Sequence, residues 1–515
     1  MVCKNCGTNN EGTARFCSSC GSPLEVVPVI SNQDVVPTMV SNPVTPVNMM
    51  KPATKQPIDI KRFIVVGLLL ACVMMMLIIV FITSKKESST PLPVVDDGDI
   101  TRTVMIYMVG ADLESESGIA SADLNGIKAS EIDLDKMNVL LYTGGTMKWH
   151  NFVSSEDNAI YQLTESGFEK KKTYEKSNMG DANTLSTLLN YAYDNYKTDE
   201  YDLIFYNHGG AIDGAIYDQF SGDNLSIADM GDAFNNSPFK GDNKLEVITF
   251  RTCLNGTLEV ASELDDYADY LVASEEVTNG DNTSSVLSFL NNIESSDSAI
   301  DYGKKFISEY EKHVSEIDPL GMGTVAMYAV IDLSKIDSVV SELGTFVSGI
   351  DLTKNYADII RVRGNLYQYG YSFHGDGKYD MVDLYTLAER INDYSAVSNE
   401  KLITAINNAV VYNWTREVQE SHGLSVYFPY KGSGLNQYKY LNTYNDIDFS
   451  EQYVSFIKKI SSLVRSNKNS SFSKSDITES KSEVTKGEFS LELTNDQAKD
   501  FAEAKMFIVK IFSMT

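Results

Sequence analysis

Two stretches decide the fold of this chain: Tyr201-Asp-Leu-Ile-Phe-Tyr-Asn-His208-Gly209-Gly210 and Leu245-Glu-Val-Ile-Thr-Phe-Arg-Thr-Cys253-Leu-Asn. Each is rich in β-branched and aromatic residues and stops at a loop, which predicts a short buried strand. In an open α/β sheet, side chains at the carboxyl ends of the strands project into the crevice where ligands bind. We therefore expect His208 and Cys253 to lie close together at one edge of a sheet.

Cys253 stands apart from the other five cysteines. Four of those lie within the first twenty residues and Cys72 lies in an apolar segment, so Cys253 has no obvious disulfide partner. One interpretation is a buried free thiol, because free cysteine is among the most buried residue types. The histidine on the neighbouring predicted strand favours the other interpretation, a Cys/His nucleophilic pair. The pattern indicates a cysteine peptidase.

From Thr101 onward, apolar segments alternate with amphipathic ones. This alternation predicts a mainly parallel sheet with helices on both faces. Besides the two quoted stretches, we predict strands at residues 104–109, 138–142, 270–273, 323–331 and 424–428, with a hairpin at residues 149–163. Helices are predicted near residues 120–132, 181–196 and 226–235 and from about residue 257.

The net charge of the 515-residue chain is −28, and nearly all of the negative charge lies beyond residue 62. A surface this acidic repels nucleic acid and anionic lipid. We therefore expect no nucleic-acid partner for the large C-terminal region, whose partner would be a peptide or protein substrate.

Phe63–Thr83 contains 21 consecutive residues without a charge. As a helix it would span about 30 Å, enough to cross a bilayer once. Basic residues are more numerous before this segment than after it, which favours a cytoplasmic N-terminus. The sequence therefore predicts a single-pass protein of the bacterial cell membrane with an extracytoplasmic peptidase domain.

The N-terminus carries two CxxC pairs, each followed by glycine: Cys3 with Cys6, and Cys17 with Cys20. Four thiolates at this spacing can surround one structural Zn²⁺ tetrahedrally. The predicted organisation is a zinc ribbon (1–24), a proline-rich linker (25–62), a transmembrane helix (63–83), a second linker (84–100), a peptidase domain (101–466), and a Ser/Lys-rich linker with a small β segment (467–515).

Several blocks of residues occur in an order that resembles the clostripain family (C11) of the caspase-like clan of cysteine peptidases. The blocks are Met105–Glu114, Asn207–Gly210, Cys253–Ala261, Tyr270–Glu276 and Gly423–Pro429. The resemblance covers roughly residues 100–460 and implies a caspase-like α/β/α sandwich. It also implies that Cys253 is the nucleophile of an endopeptidase and His208 its general acid and base, acting through a thioester. The amide groups of Gly209 and Cys253 would form the oxyanion hole.

The chain departs from the family pattern at Arg251. The resemblance implies an acid two residues before the cysteine, where it would bind a basic side chain on the amino side of the scissile bond. An arginine there would repel Arg or Lys and attract Asp or Glu, unless it points into a salt bridge away from substrate. The predicted substrate pocket comprises Arg251, Ser274, Glu275 and Glu276, in which the glutamates would add acidic character or neutralise Arg251.

Two alternatives stay open. The chain could be a catalytically silent relative that binds or senses peptides, for which Arg251 and Asn255 are the motivating residues. The ribbon could bind nucleic acid, although Lys4 and Arg15 are its basic residues and Phe16 its aromatic one. Some family members depend on Ca²⁺, and this chain has many acidic residues. No stretch has EF-hand spacing, so calcium is kept only as an alternative second cofactor.

Overall fold

The computed structural model describes residues 100–321, 323–370, 379–430 and 434–469. The zinc ribbon, both linkers up to residue 99, Phe63–Thr83 and residues 470–515 lie outside this part of the chain, so what the sequence predicts for them stays a prediction. Among the helices described, none is long and apolar enough to cross a membrane.

The described residues contain thirteen strands, most of which belong to one central sheet. They are β1 (Arg102–Val109), β2 (Met137–Gly144), β3 (Asp157–Thr164), β4 (Gly167–Glu175), β5 (Glu200–Tyr206), β6 (Ala215–Asp218), β7 (Asp223–Leu225), β8 (Leu245–Arg251), β9 (Ala268–Ala273), β10 (Ala326–Asp332), β11 (Met381–Asp383), β12 (Val410–Arg416) and β13 (Ser425–Tyr427).

The central sheet has nine strands in the order β12-β10-β9-β8-β5-β1-β2-β3-β4. Its five middle strands, from β9 to β2, are parallel. Two antiparallel strands extend the sheet on each side. Every residue of β1 and β2 is buried, as expected for parallel strands covered on both faces. The prediction of an α/β fold with a mostly parallel central sheet is confirmed.

Helices cover both faces of this sheet. In the described residues they are α1 (Ala111–Ser115), α2 (Ile119–Gly126), α3 (Ala182–Asn195), α4 (Ile227–Asn235), α5 (Leu258–Leu264), α6 (Ala299–Ile317), α7 (Ile336–Ser348), α8 (Leu352–Asn365), α9 (Leu384–Asn392), α10 (Glu400–Ala409), α11 (Gly434–Thr443) and α12 (Glu451–Asn469). The buried side chains of α3, α4, α5 and α7 share one hydrophobic core, and those of α2 and α6 share the core on the other face.

The structure corrects two sequence predictions. The hairpin lies at residues 157–175 rather than 149–163, because the chain reverses at Glu165–Ser166, before Gly167 with φ +104°. The predicted strand near Leu424 exists as β13, but it pairs with β11 in a separate two-stranded sheet. Strand β12, which was not predicted from the sequence, occupies the edge of the central sheet instead.

Candidate active site

The register of β5 and β8 brings His208 and Cys253 together. The two strands are parallel neighbours in which Tyr206 pairs with Arg251. His208 and Cys253 each follow two residues after that pair, so both stand at the carboxyl edge of the sheet about one strand spacing apart. Both residues line one cavity of about 650 Å³, a volume typical of ligand sites.

Asp112 contacts the histidine directly. Its Oδ1 lies 2.8 Å from His208 Nε2, and both side chains are about two-fifths exposed. The hydrogen bond to His208 is the largest cause that lowers the pKa of Asp112 below its ordinary value, so the carboxylate is ionised at neutral pH. Within the described residues the other ring nitrogen, Nδ1, has no hydrogen-bonding partner. Asp112 therefore holds the ring by one nitrogen and leaves the other available for proton transfer.

The sequence motifs point to no third residue that orients the histidine, but the strand register contains a signal for Asp112. Strand β1 pairs with β5 in parallel register, with Met108 opposite Tyr206. A carboxylate just beyond the end of β1 must therefore lie near His208. The turn that delivers it is strained, because Ala111 has φ +43°.

The sulfur of Cys253 contacts Thr278. The amide N–H of Thr278 donates to Sγ at 3.4 Å, and the Thr278 hydroxyl lies 3.6 Å from Sγ. Cys253 is a half-buried free thiol. Leu254, the next residue, has φ +62° and donates its amide N–H to the Glu276 carbonyl. This turn directs the cysteine side chain towards the cavity instead of continuing the strand.

Gly209 is the residue at which the two strand ends come closest. A Cβ at this position would lie 1.8 Å from the Cys253 carbonyl oxygen and 2.3 Å from Asn255 Oδ1. No larger residue fits without moving one of the loops. In the part of the chain that the structure describes, the amide N–H groups of Gly209 and Cys253 donate to no other group. Two unengaged backbone donors thus stand beside the histidine and the thiol.

Asn255 joins the loops that carry the two residues. Its side chain is fully buried. It accepts a hydrogen bond of 2.5 Å from the Thr252 hydroxyl and donates to the Gly214 carbonyl oxygen at 3.1 Å. The asparagine therefore has a structural function and is no longer an argument for a silent protein.

Arg251 points into the cavity wall but is almost completely buried. Its side chain is 7% exposed, and Nη2 lies 3.9 Å from Asp123 Oδ2. The guanidinium carbon lies 5.8 Å from the centre of the Tyr206 ring. Burial, the largest influence, lowers the pKa of Arg251, but the charge of Asp123 and the neighbouring tyrosines together raise it above its ordinary value. The neighbour that partly balances the arginine is thus Asp123 of α2, not Glu275 or Glu276.

The other predicted pocket residues divide into two groups. Glu276 lines the cavity, but its carboxylate accepts hydrogen bonds from the amides of Val277 and Gly370 and from the Tyr367 hydroxyl. Ser274 and Glu275 are buried and lie outside the cavity lining. The Ser274 hydroxyl donates to the Glu276 carbonyl oxygen, so Ser274 supports the cavity loop from behind.

Glu275 belongs to a buried polar cluster behind the site. Its Oε2 accepts from Ser421 Oγ at 2.5 Å and from the Gly423 amide at 2.9 Å. His422 Nδ1 lies 2.9 Å from Asp383 Oδ1. Burial raises the pKa of Glu275, and the charge of Asp383 raises it further. The cluster ties the loop before β13 to the loop after β9, on which the cavity depends.

The part of the chain that the structure describes contains no cluster of His, Cys, Asp or Glu able to hold a metal ion. The four N-terminal cysteines lie outside that part.

Two sequence-family models match this chain. The sequence model of the clostripain family matches residues 106–462, and that of a zinc-ribbon domain matches residues 2–24. Clostripain from Hathewaya histolytica is 24% identical over 348 residues, covering 53% of this chain and 63% of that protein. The match thus spans less than two thirds of the relative.

Two solved structures, each of a secreted C11 cysteine protease from Bacteroides thetaiotaomicron, have a similar fold. The first, in complex with an irreversible peptide inhibitor, has a TM-score of 0.51 at 18% identity and covers 70% of this chain and 99% of its own. The second has a TM-score of 0.51 at 15% identity and covers 68% and 99%. These structures show that the chain has the fold of the C11 cysteine proteases, and the family model matches more than half of the chain. The chain therefore belongs to the clostripain family.

Proposed function

We propose that this protein is a membrane-anchored cysteine endopeptidase that hydrolyses peptide bonds with a Cys253/His208 dyad in a caspase-like α/β/α sandwich. The observation that carries the proposal is the cavity in which the thiol, the imidazole and two unengaged amide N–H groups meet. These are the groups that acyl transfer requires: a nucleophile, a proton carrier and donors for the oxyanion.

The first half of the reaction forms a thioester. His208 takes the proton of Cys253, because the thiolate is the nucleophile. The sulfur attacks the scissile carbonyl carbon, and the developing oxyanion accepts hydrogen bonds from the Gly209 and Cys253 amides. The C–N bond then breaks as His208 gives its proton to the departing amine.

The second half releases the acyl group. His208 accepts a proton from water, whose oxygen attacks the thioester carbonyl carbon. When the C–S bond breaks, the sulfur leaves as the thiolate and the new carboxyl group departs. Asp112 keeps the imidazole oriented in both halves through its hydrogen bond to Nε2.

Acyl-enzyme trapping tests the chemistry. Full-length protein would be mixed with a nitrophenyl ester of a blocked peptide, quenched in acid and digested for mass spectrometry. The expected result is the acyl mass on the Cys253 peptide, in a yield that falls strongly with His208→Gln. A protein that is never acylated, or is acylated on another residue, contradicts the dyad. The first outcome favours a catalytically silent peptide-binding protein.

The N-terminal segments extend the proposal. Cys3, Cys6, Cys17 and Cys20 form a donor set that suits a structural Zn²⁺, and the zinc-ribbon match supports this assignment. Bound zinc would crosslink a module that is too short to fold on its own. Metal analysis of the full-length protein should give one zinc per chain, and less in Cys3→Ser; an equal metal content would contradict the ribbon.

The location follows from Phe63–Thr83, which would hold the protein in the bacterial cell membrane with its N-terminus in the cytoplasm. A membrane-impermeant thiol reagent applied to intact cells should then reach Cys253 and spare the N-terminal cysteines. Labelling of the N-terminal cysteines alone would reverse the orientation.

A further inference from the structure

The cavity that holds the proposed dyad contains one strong positive charge. Among its described lining residues, the ones of a type charged at neutral pH, apart from the dyad, are Arg251 and Glu276. The Glu276 carboxylate is occupied by two amide groups and a tyrosine hydroxyl. The charge left to meet a substrate in this cavity is therefore that of the arginine.

The Arg251 guanidinium has donors without acceptors. The side chain is more than nine-tenths buried, and Nε is buried without a hydrogen-bond partner. No hydrogen bond joins this guanidinium to any group of the described residues. A guanidinium carries five N–H donors in a planar fork, and leaving them unmatched in a buried place is costly. The site is thus incomplete without an acceptor.

Asp123 does not supply that acceptor. Its nearest oxygen is 3.9 Å from Nη2, beyond hydrogen-bond length. The carboxylate is engaged elsewhere, since it accepts from the Tyr206 hydroxyl at 2.7 Å and from the Val286 amide at 2.8 Å. It balances part of the charge of Arg251 without using its donors.

The loop beside the arginine runs from the guanidinium to the thiol along one wall of the cavity. A Cβ at Gly280 would lie 2.9 Å from Arg251 Nη2, so a glycine lets the loop pass close to the guanidinium. The next residues back along this loop are Asn279 and Thr278, which line the same cavity, and Thr278 contacts the Cys253 sulfur. A group bound to Arg251 therefore sits in the cavity from which the thiol is reached.

We propose that Arg251 binds a carboxylate of the substrate, so that the protein recognises Asp or Glu on the amino side of the scissile bond. A carboxylate matches the guanidinium fork with two parallel hydrogen bonds. A lysine or arginine side chain in the same place would put a second cation beside a buried one, which is unfavourable. The position relative to a scissile bond rests on the proposed function. Binding of a carboxylate by Arg251 does not require turnover and can be measured separately.

The carboxylate could come from a side chain or from the free C-terminus of a peptide, and the test separates the two. Full-length Cys253→Ala protein would be titrated with fluorescent peptides blocked at both ends. They are alanine-based and differ at one residue, which is Asp, Asn, Glu, Gln or Lys. An additional all-alanine peptide has a free C-terminus. We expect the Asp or Glu peptide to bind about tenfold or more tightly than its amide counterpart, because hydrogen bonds to charged groups are the stronger ones.

Arg251→Gln should remove that difference, and Arg251→Lys should restore only part of it, since lysine lacks the planar fork. The matched control is Arg361→Gln, which removes an exposed arginine paired with Asp358 on α8 and should change nothing. Equal binding of Asp and Asn peptides, tighter binding of the Lys peptide, or selectivity only for the free C-terminus overturns the proposal. These comparisons between peptides use protein in which Arg251 is intact, so they test the proposal even if the Arg251 variants fail to fold.

Incubating the same peptide set with protein that retains Cys253 separates the failure of the proposed peptidase activity from the failure of the proposed role of Arg251. Hydrolysis after Lys alone would support the peptidase and refute the role of Arg251. Selective binding of acidic peptides without any hydrolysis would support Arg251 and refute the peptidase.

Discussion

Replacing Asp112 by asparagine removes one negative charge from His208 and keeps the size of the side chain. In the structure the two groups are 2.8 Å apart and about two-fifths exposed. Unit charges 4 Å apart interact with about 1 kcal/mol in water and about 4 kcal/mol near a protein surface. Exposure and the cost of fixing the side chains reduce this towards the lower value. We expect a loss of roughly 1 to 2 kcal/mol in transition-state stabilisation, or about tenfold in kcat.

The assay is steady-state hydrolysis of a peptide substrate by the full-length protein at neutral pH. Because Asp112 acts through His208, kcat should fall while KM stays nearly unchanged. In a His208→Gln background, Asp112→Asn should have no further effect. The matched control is Glu116→Gln, which removes an exposed carboxylate four residues away. If Glu116→Gln and Asp112→Asn behave alike, or if Asp112→Asn leaves kcat unchanged, the reasoning is refuted.

Three further predictions concern the loops around the site. Gly209→Ala should abolish hydrolysis, because its Cβ would meet the next loop at 1.8 Å, whereas Gly210→Ala, with its nearest contact at 3.1 Å, should keep most activity; similar rates for both would contradict this. Asn255→Ala should lower the free energy of unfolding in urea by about 1 to 3 kcal/mol, since it leaves the buried Thr252 hydroxyl without an acceptor and removes one of two hydrogen bonds to the Gly214 carbonyl oxygen; an unchanged unfolding midpoint would count against this role of Asn255. Burial lowers the pKa of His422, but the hydrogen bond and charge of Asp383, together with Glu420 and Glu389, raise the pKa above its ordinary value. Protonated His422 therefore stabilises the fold below about pH 6.5, and this contribution is lost as pH rises through the folded-state pKa. As pH rises from about 6.5 through the folded-state pKa of His422, the Tm of the native protein should fall more steeply than that of His422→Gln. Parallel curves of Tm against pH would disprove this stabilisation.

The sequence predicted the parallel centre of the sheet because those strands are buried on both faces and read as continuous apolar segments. Tyr201–Tyr206 and Leu245–Arg251 are clear examples, and their polar residues beyond the strand ends indicated the site. Strand β12 escaped notice because it follows helix α10 directly and its residues are only partly buried. At such an edge, neither periodicity nor a continuous apolar run marks the strand.

The parts of the site that lie at strand ends were predictable from the sequence, and the parts that depend on how a helix packs on the sheet were not. His208 and Cys253 follow paired residues of neighbouring strands, so their proximity follows from register alone. The partner of Arg251 did not follow in this way. Asp123 lies on a helix more than a hundred residues earlier, and only the packing of α2 on the sheet brings it near.

The most direct test of the central claim is proteolysis of a defined peptide mixture by the full-length protein. Native protein, Cys253→Ala and His208→Gln would be incubated with the mixture under reducing conditions, with and without Ca²⁺, and the products identified by mass spectrometry. We predict internal cleavages by the native protein that disappear in Cys253→Ala and nearly disappear in His208→Gln. Cleavage that persists in Cys253→Ala, or none by a folded native protein in either condition, would contradict the assignment as a cysteine endopeptidase.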